Sequence, residues 1–97
     1  MSKQSPLIFS PTSLADLQRI NQFYLAIDPK VRRLALARLF EALKLVERFP
    51  NIGRLQNRSG IREFVVPFGK GNFIIRYLPR KTKIHLAHIW HSMEDEL

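Results

Sequence analysis

The sequence predicts an α+β domain in which a helical hairpin packs on one face of an antiparallel sheet, with elements in the order β-α-α-β-β-β. Between residues 11 and 49, apolar side chains recur every three or four positions, which is the spacing of amphipathic helices. After residue 60, polar and apolar residues alternate in short runs bounded by glycine and proline, which is typical of strands. Because 97 residues have the length of one domain, we assign residues 1–97 to a single domain.

The first strand is predicted at the apolar run from Leu7 to Phe9, and the sequence leaves its partner strand open. Ser10 is a preferred helix N-cap, and Pro11 suits a first helical turn because its missing N–H would have no partner there. A helix is therefore predicted to begin here or within a few residues, with Thr12 and Ser13 as alternative N-caps. Its apolar stripe consists of Leu14, Leu17, Ile20, Tyr24 and Ile27.

The second helix is predicted to begin at Asp28 and Pro29, which are an N-cap and a first-turn residue by the same argument. It is predicted to end near Phe49, because Pro50 cannot continue a helix. The apolar stripe of this helix is broad and consists of Val31, Leu36, Leu39, Phe40, Leu43 and Val46.

A second apolar edge on the same helix carries Leu34, Leu45 and Phe49. The stripe is then wider than packing against one neighbour requires. Both edges could belong to the core, which is the interpretation that we favour from the pattern alone. The alternative is that this edge forms part of a groove for a partner helix.

Three strands are predicted after the second helix, at Ile61 to Val66, Phe73 to Leu78 and Lys83 to about Trp90. Strict alternation along the last strand would place His88 and Trp90 on the face of Ile84 and Leu86, and His85 with Ile89 on the other. The aromatic residues of these strands suit either a core or a base-stacking platform, and we favour the core. They are Phe64, Phe73, Tyr77 and Trp90.

The charge is strongly positive and unevenly placed. The net charge is +8, and residues 54–83 carry eight basic side chains against one acidic residue, Glu63. The chain ends in the acidic run Glu94, Asp95 and Glu96. A domain with this balance attracts polyanions such as nucleic acid, an anionic membrane or an acidic protein.

Several classes of protein are disfavoured by composition. The chain has no cysteine, which excludes a disulfide framework, a cysteine zinc site and a thiol nucleophile. The N-terminus has no apolar region long enough for a signal peptide, and the charges in the long helix exclude a membrane span. We therefore expect a cytoplasmic protein with no membrane partner.

The candidate residues for catalysis or metal binding are the histidines at 85, 88 and 91. Their alternating strand positions do not converge on a metal ion, so we expect no metal and no cofactor. A metal-independent ribonuclease would need a general acid, a general base and a cation for the phosphate. His91 or His88 could supply the proton-transfer groups, and Arg62 or Arg76 the positive charge.

The chain resembles the RelE/ParE superfamily of bacterial toxin–antitoxin toxins, and its ParE-like branch in particular. The most specific element is the turn from Phe49 to Arg54, followed by a strand that contains Arg62 and Glu63. The other segments that carry the resemblance are Ser10-Pro11, Ala15-Asp16-Leu17 with Ile20, Gly60 to Val66, Phe73 to Tyr77, and Ile89-Trp90-His91.

The resemblance implies a cytoplasmic toxin of the β-α-α-β-β-β fold that a cognate antitoxin, ParD-like or another acidic protein, neutralises by wrapping around it. Two activities occur in the superfamily. RelE-like members cleave mRNA on the ribosome, whereas ParE-like members inhibit DNA gyrase and are not nucleases. This chain has no tyrosine after Tyr77 and no Lys or Arg after Lys83, where the nucleases carry such residues, so gyrase inhibition without catalytic residues is favoured. Met93 stands where the resemblance implies a tail arginine.

Two sets of site residues follow from the charge pattern and the resemblance. The predicted surface for the target comprises Arg58, Arg62, Arg76, Trp90 and His91. The predicted contacts with the antitoxin are Leu34, Leu45, Phe49 and Arg76.

Overall fold

Two α-helices pack against one face of a five-stranded mixed sheet in the computed structural model, which describes residues 5–94. The elements are β1 (Leu7–Phe9), α1 (Pro11–Ile27), α2 (Pro29–Arg48), β2 (Arg54–Leu55), β3 (Arg62–Phe68), β4 (Gly71–Pro79) and β5 (Ile84–His91). This arrangement confirms the predicted α+β class, the helical hairpin and the order of the predicted elements, to which the two-residue strand β2 is added.

The sheet has the strand order β1-β5-β4-β3-β2. Strands β3 to β5 pair antiparallel as predicted, and the added strand β2 pairs antiparallel with β3. Strand β1 joins the edge of β5 in parallel, with Leu7 opposite Ile84. A two-residue turn joins β3 to β4, and Gly69 takes a φ of +62° there, which a residue with a side chain rarely adopts. The far side of the sheet, which the helices leave uncovered, is called the open face below.

Both helices begin at predicted N-caps, which satisfy free backbone donors, and Ser10 caps the first helix instead of the alternatives Thr12 and Ser13. The Ser10 hydroxyl accepts from the Ser13 N–H at 3.0 Å, and the Asp28 carboxylate accepts from the Lys30 N–H at 2.7 Å. The second helix ends at Arg48, just before Pro50. No helix within residues 5–94 combines the length and the apolar character that a membrane crossing requires.

The core lies between the helical hairpin and the covered face of the sheet. Ile20 of α1 and Leu39 and Val46 of α2 belong to one buried cluster with Phe73 and Tyr77 of β4. Fully burying each large apolar side chain contributes about 1.5–3 kcal/mol relative to leaving it exposed. This cluster therefore fixes the hairpin on the sheet.

Three residues of the predicted helical stripes are exposed instead of buried: Leu14, Ile27 and Phe40. Leu14 lies about 120° around α1 from Ile20, and Ile27 is the last residue of that helix. Phe40 lies about 100° around α2 from the buried Leu39. The predicted stripes were too wide at these positions.

The second apolar edge of α2 is also outside the core. Leu34 is 64% exposed, Leu45 39% and Phe49 53%. The preferred interpretation of this edge as core was therefore wrong, because these residues lie about 80–140° around the helix from Leu39. They form an exposed apolar strip, which we call the α2 strip.

A register shift in β5 overturns the predicted alternation of that strand. Arg76 pairs with His88 and Tyr77 with Leu86, so Ala87 is an extra residue between them. The residues beyond Ala87 consequently change faces. Ile89 is buried on the helix side, whereas His88 and Trp90 lie on the open face with His85.

Beyond the end of β1, polar groups of Ser10 and α1 hydrogen-bond to the exposed backbone edge of β5. The Ser10 N–H donates to the Leu86 carbonyl at 3.1 Å, and the Ser10 hydroxyl donates to the Ala87 carbonyl at 3.1 Å. Farther along, the Ile89 N–H donates to the Asp16 carboxylate at 2.8 Å, and Arg19 donates to the Ile89 carbonyl at 3.2 Å. Side chains thus replace a neighbouring strand along this part of β5.

Candidate functional site

A charged row crosses the open face of the sheet. Strand pairing places Glu63 of β3 opposite Arg76 of β4, and Arg76 opposite His88 of β5. The guanidinium of Arg76 binds the Glu63 carboxylate with Nη2 at 2.6 Å and Nε at 2.8 Å. Two donors on one carboxylate oxygen fix the direction of the Arg76 side chain.

Trp90 contacts both Arg76 and His88 of this row. The Arg76 Cζ is 5.0 Å from the centre of the Trp90 ring, which is a cation–π distance. The imidazole of His88 stacks on the same indole, with ring centres 4.5 Å apart and planes 22° apart. The result is a half-buried group in which Arg76 and His88 both contact Trp90.

Asp16 of α1 anchors this group to the helical layer. Its almost fully buried carboxylate contacts His88 Nδ1 at 2.5 Å, Arg19 Nη1 at 2.6 Å and the Ile89 N–H at 2.8 Å. Burial by itself raises the pKa of Asp16, but the bonds from Arg19, Ile89 and His88 outweigh it and leave the pKa below its usual value of 3.8. The carboxylate is therefore ionised at neutral pH and holds the imidazole of His88 in one orientation.

His91 lies on the opposite side of the sheet from this group. It is buried, and its Nε2 donates to the Phe68 carbonyl at 2.8 Å because a carbonyl can only accept. Its Nδ1 accepts the Met93 N–H at 3.2 Å. Both ring nitrogens are thus occupied by backbone groups, and His91 is separated from Arg76 and Trp90 by the sheet.

Arg62 is used within the fold. It is the first residue of β3 and pairs with Tyr77 on the covered side of the sheet. Its guanidinium donates to the Gly53 carbonyl at 2.8 Å and to the Asn51 carbonyl at 3.3 Å. Arg62 therefore holds the turn that follows α2.

The same turn is bound by Tyr77. The buried tyrosine hydroxyl donates to the Pro50 carbonyl at 2.7 Å and accepts the Gly53 N–H at 2.9 Å. A Cβ on residue 53 would lie 2.7 Å from that hydroxyl oxygen, which leaves room for glycine alone. The proline, glycine and following arginine noted in the sequence thus belong to a docked turn.

The remaining predicted site residues lie apart. Arg58 is exposed in the loop between β2 and β3. Leu34, Leu45 and Phe49 lie on α2, whereas Arg76 lies on the open face, so these four do not form one continuous patch. Of the predicted target surface, the structure brings together Arg76 and Trp90.

Comparison of the sequence with models of protein families identifies the family of this chain. The model of the ParE toxin of type II toxin–antitoxin systems, parDE, matches residues 7–96. The chain belongs to the ParE toxin family. The predicted superfamily and the predicted class of toxin are therefore confirmed.

Two further similarities place this ParE-family chain among known proteins. It is 27% identical over 89 residues to Toxin RelE1 from Caulobacter vibrioides, a match that covers 92% of the chain and 95% of that protein. Its fold is similar to a chain of the chromosomal ParDE TA system from P. aeruginosa, with a TM-score of 0.71 and 20% sequence identity. That match covers 91% of this chain and 95% of the solved one.

Asp16 and Glu63 of this ParE-family toxin are not among the site residues predicted from the sequence. The spacing of Asp16, three residues from Ser13 and four from Ile20, is the signal that could have found it, because it places a carboxylate on the inward side of α1. Glu63 was noted as the single acidic residue in the basic stretch. An isolated carboxylate in either setting is a signal for a specific cationic partner.

Proposed function

We propose that this ParE-family toxin inhibits DNA gyrase by binding it and stalling it on cleaved DNA, without catalysis of its own. We further propose that it acts in the bacterial cytoplasm and that a cognate antitoxin neutralises it. The observation that carries the first proposal is the state of His91. Both of its nitrogens are bonded to backbone groups in a buried setting, so it is poorly placed to act as a general base.

The proposed contact surface for gyrase is the open face around Trp90 and Arg76, with Arg58 at its margin. A half-buried tryptophan held by contacts with an arginine and a histidine presents a preorganised aromatic surface. Tryptophan and arginine are enriched among the residues that dominate binding energy in protein interfaces. Arg62 and His91 are proposed to support this surface from the covered side instead of contacting gyrase.

The test is a supercoiling assay with purified gyrase and antitoxin-free toxin. We expect the wild-type toxin to inhibit supercoiling, and the Trp90→Ala variant to need at least about tenfold more protein for the same inhibition. Phe40→Ala is the matched control, because Phe40 is also an exposed aromatic residue but lies on α2. Undiminished supercoiling with the wild-type toxin would refute the proposal, and equal losses in both variants would refute the assigned surface.

The proposed antitoxin surface is the α2 strip together with Arg76. The exposure of Leu34, Leu45 and Phe49 supports a partner helix over the hairpin, and an acidic segment suits the positive chain. Since Arg76 faces the other side of the sheet, the antitoxin must wrap around an edge to reach both, as segments that fold on binding do. A double variant with Leu45→Asp and Arg76→Glu should lose the antitoxin in a pull-down, and a retained complex would refute this mapping.

A ribosome-dependent mRNA endonuclease is the second candidate. The pair of Asp16 and His88 favours it, because a carboxylate on Nδ1 orients an imidazole for proton transfer at Nε2. Arg76 lies beside this imidazole and could neutralise charge on a phosphate, although Glu63 already binds it. The similarity to a protein named Toxin RelE1 agrees with this candidate.

Primer extension on a translated message separates the two candidates. Cuts at fixed codon positions that disappear in His88→Ala but persist in His85→Ala would establish the nuclease and overturn gyrase inhibition as the main activity. His85 is the matched control, because it is an exposed histidine on the same face. We expect no cuts with the wild-type toxin.

A further inference from the structure

Two loops meet at one end of the sheet and carry a concentration of positive charge. Loop 56–60 reaches the end of β4, where a Cβ on Gly60 would lie 3.5 Å from Leu78 Cδ1. Loop 80–83 leaves the same end of β4 and is closed by the Arg80 N–H, which donates to the Lys83 carbonyl at 2.8 Å. We define the basic end by their exposed cationic side chains: Arg58, Arg80, Lys81 and Lys83.

This charge is not neutralised by the carboxylates that the structure describes. Within residues 5–94, no salt bridge joins any of the four cations to an acidic residue. Glu63 is the acidic residue nearest to Arg58 in sequence, and Arg76 binds it. Glu94 follows the opposite end of β5, about 23 Å away along a strand of this length.

The chemistry of the basic end distinguishes between possible partners. Its other exposed residues are small or polar and include no apolar side chain: Gln56, Asn57, Ser59 and Thr82. Stable protein interfaces depend on buried apolar or aromatic anchors, whereas nucleic-acid interfaces are polar, wet and rich in positive charge. A surface of cations and neutral polar groups therefore fits a phosphate backbone better than a peptide.

We propose that the basic end binds the phosphate backbone of duplex DNA, independently of base sequence. The choice of duplex DNA rests on the proposed function, since gyrase holds a DNA duplex while the toxin acts on it. A groove lined by Gln56, Asn57, Ile61, Glu63 and Arg76 connects the basic end with the open face. The toxin would thus contact the enzyme through the open face and the DNA through the adjoining loops.

Fluorescence anisotropy with a labelled 20-base-pair DNA duplex and the full-length, antitoxin-free toxin tests this proposal. If four phosphates are neutralised, the logarithm of the binding constant should fall with the logarithm of salt concentration at a slope of about −4. The variant R58Q/R80Q/K81Q/K83Q should bind at least about tenfold more weakly at low salt, with a slope close to zero.

The matched control removes the same amount of charge from another surface. The variant K30Q/R33Q/K44Q/R48Q changes four exposed cations of α2 and should retain the affinity for DNA within about threefold. Equal losses in both variants would show that only net charge matters and would overturn the proposal. Tighter binding of a 20-nucleotide single-stranded RNA, or loss of antitoxin binding with unchanged DNA binding in the loop variant, would also overturn it.

The outcome is separable from that of the gyrase proposal because the anisotropy measurement contains no gyrase. A toxin that binds DNA through the basic end but leaves supercoiling unchanged would refute gyrase inhibition and support this inference. A toxin that inhibits gyrase but binds no DNA would refute the inference alone. If both hold, the variant R80Q/K81Q/K83Q, which keeps Arg58 of the proposed gyrase surface, should inhibit gyrase at least about tenfold less effectively than the α2 variant K30Q/R33Q/K44Q.

Discussion

At the scale of single residues, Asp16 links the helical layer to the open face. Its carboxylate is almost fully buried and is bonded to an arginine, a histidine and a backbone N–H. Removing the carboxylate leaves buried hydrogen-bond donors unpaired. This lowers the free energy of unfolding by more than the net contribution of any single hydrogen bond. Asp16 therefore contributes to stability and to the orientation of His88 at the same time.

Asp16→Asn should lower the free energy of unfolding by about 2–3 kcal/mol at pH 7, because an amide cannot accept all three bonds or balance Arg19. The pKa of Asp16 is lower in the folded protein than its usual value of 3.8. Its contribution to stability is therefore present above pH 4 and is lost as the pH falls through the folded-state pKa. Urea unfolding between pH 3 and 7 measures this, and the variant should lose less stability than the wild type in acid.

The control is Asp28→Asn, which alters an N-cap carboxylate on α2. Asparagine caps a helix about as well as aspartate, so stability at pH 7 should change by less than about 0.5 kcal/mol. Comparable losses in both variants would contradict the specific role of Asp16.

At the scale of elements, the turn after α2, residues 50–53, is held in place by side chains of the sheet. Tyr77 of β4 and Arg62 of β3 bind backbone groups of residues 50–53 from one side. This contact determines where α2 ends relative to β4. It also explains why the turn requires glycine at position 53.

Tyr77→Phe should lower the free energy of unfolding by about 1–3 kcal/mol, because the buried Gly53 N–H loses its acceptor. Tyr24→Phe is the control, since the Tyr24 hydroxyl makes no hydrogen bond to another residue of the described range 5–94. Chemical denaturation of both variants is the measurement. A loss for Tyr24→Phe as large as that for Tyr77→Phe would refute the assigned cause.

Sequence patterns predicted the elements better than the faces they present. The caps at Ser10 and Asp28 and the proline at position 50 act locally, so they could be recognised from neighbouring residues. The faces of His88 and Trp90 could not, because the extra residue Ala87 is defined only by pairing with β4. Predicting the site around Trp90 therefore required a long-range register that no local pattern contains.

Burial on α2 was difficult to predict for a related reason. Leu34 and Phe40 are residue types that are common in cores, and both are exposed here. The width of the buried stripe of a helix depends on how many elements pack against it. The role of Arg62 also could not be predicted locally, because its partners lie in a turn nine to eleven residues earlier in the chain. Composition predicted the basic character of residues 54–83, and the fold determines which of these cations are exposed.

At the scale of the whole molecule, positive charge that is unpaired within the described residues 5–94 is concentrated at one end of the sheet. The basic end lies beyond one end of β5, whereas Glu94, which follows the other end, is bound by Arg19. Asp95 and Glu96 lie outside the described residues. Such a concentration of charge orients a charged partner during approach.

The association rate of the toxin with an acidic antitoxin should therefore fall about tenfold between 50 and 500 mM NaCl, since salt screens the long-range attraction. Stopped-flow fluorescence, with Trp90 as the probe, measures this rate. The dissociation rate should change by less than about threefold, because it depends on the packed apolar contacts. A salt-independent association rate would contradict electrostatic steering.

The way in which α1 seals β5 affects how the free toxin behaves in a crowded solution. An unpaired strand edge is a template on which a second chain can add, and it promotes aggregation. Here Ser10, Asp16 and Arg19 occupy donors and acceptors of β5 that β1 does not reach. A toxin released from its antitoxin would thus be protected from self-association along this edge, and weakening these bonds should produce insoluble protein before it produces an unfolded one.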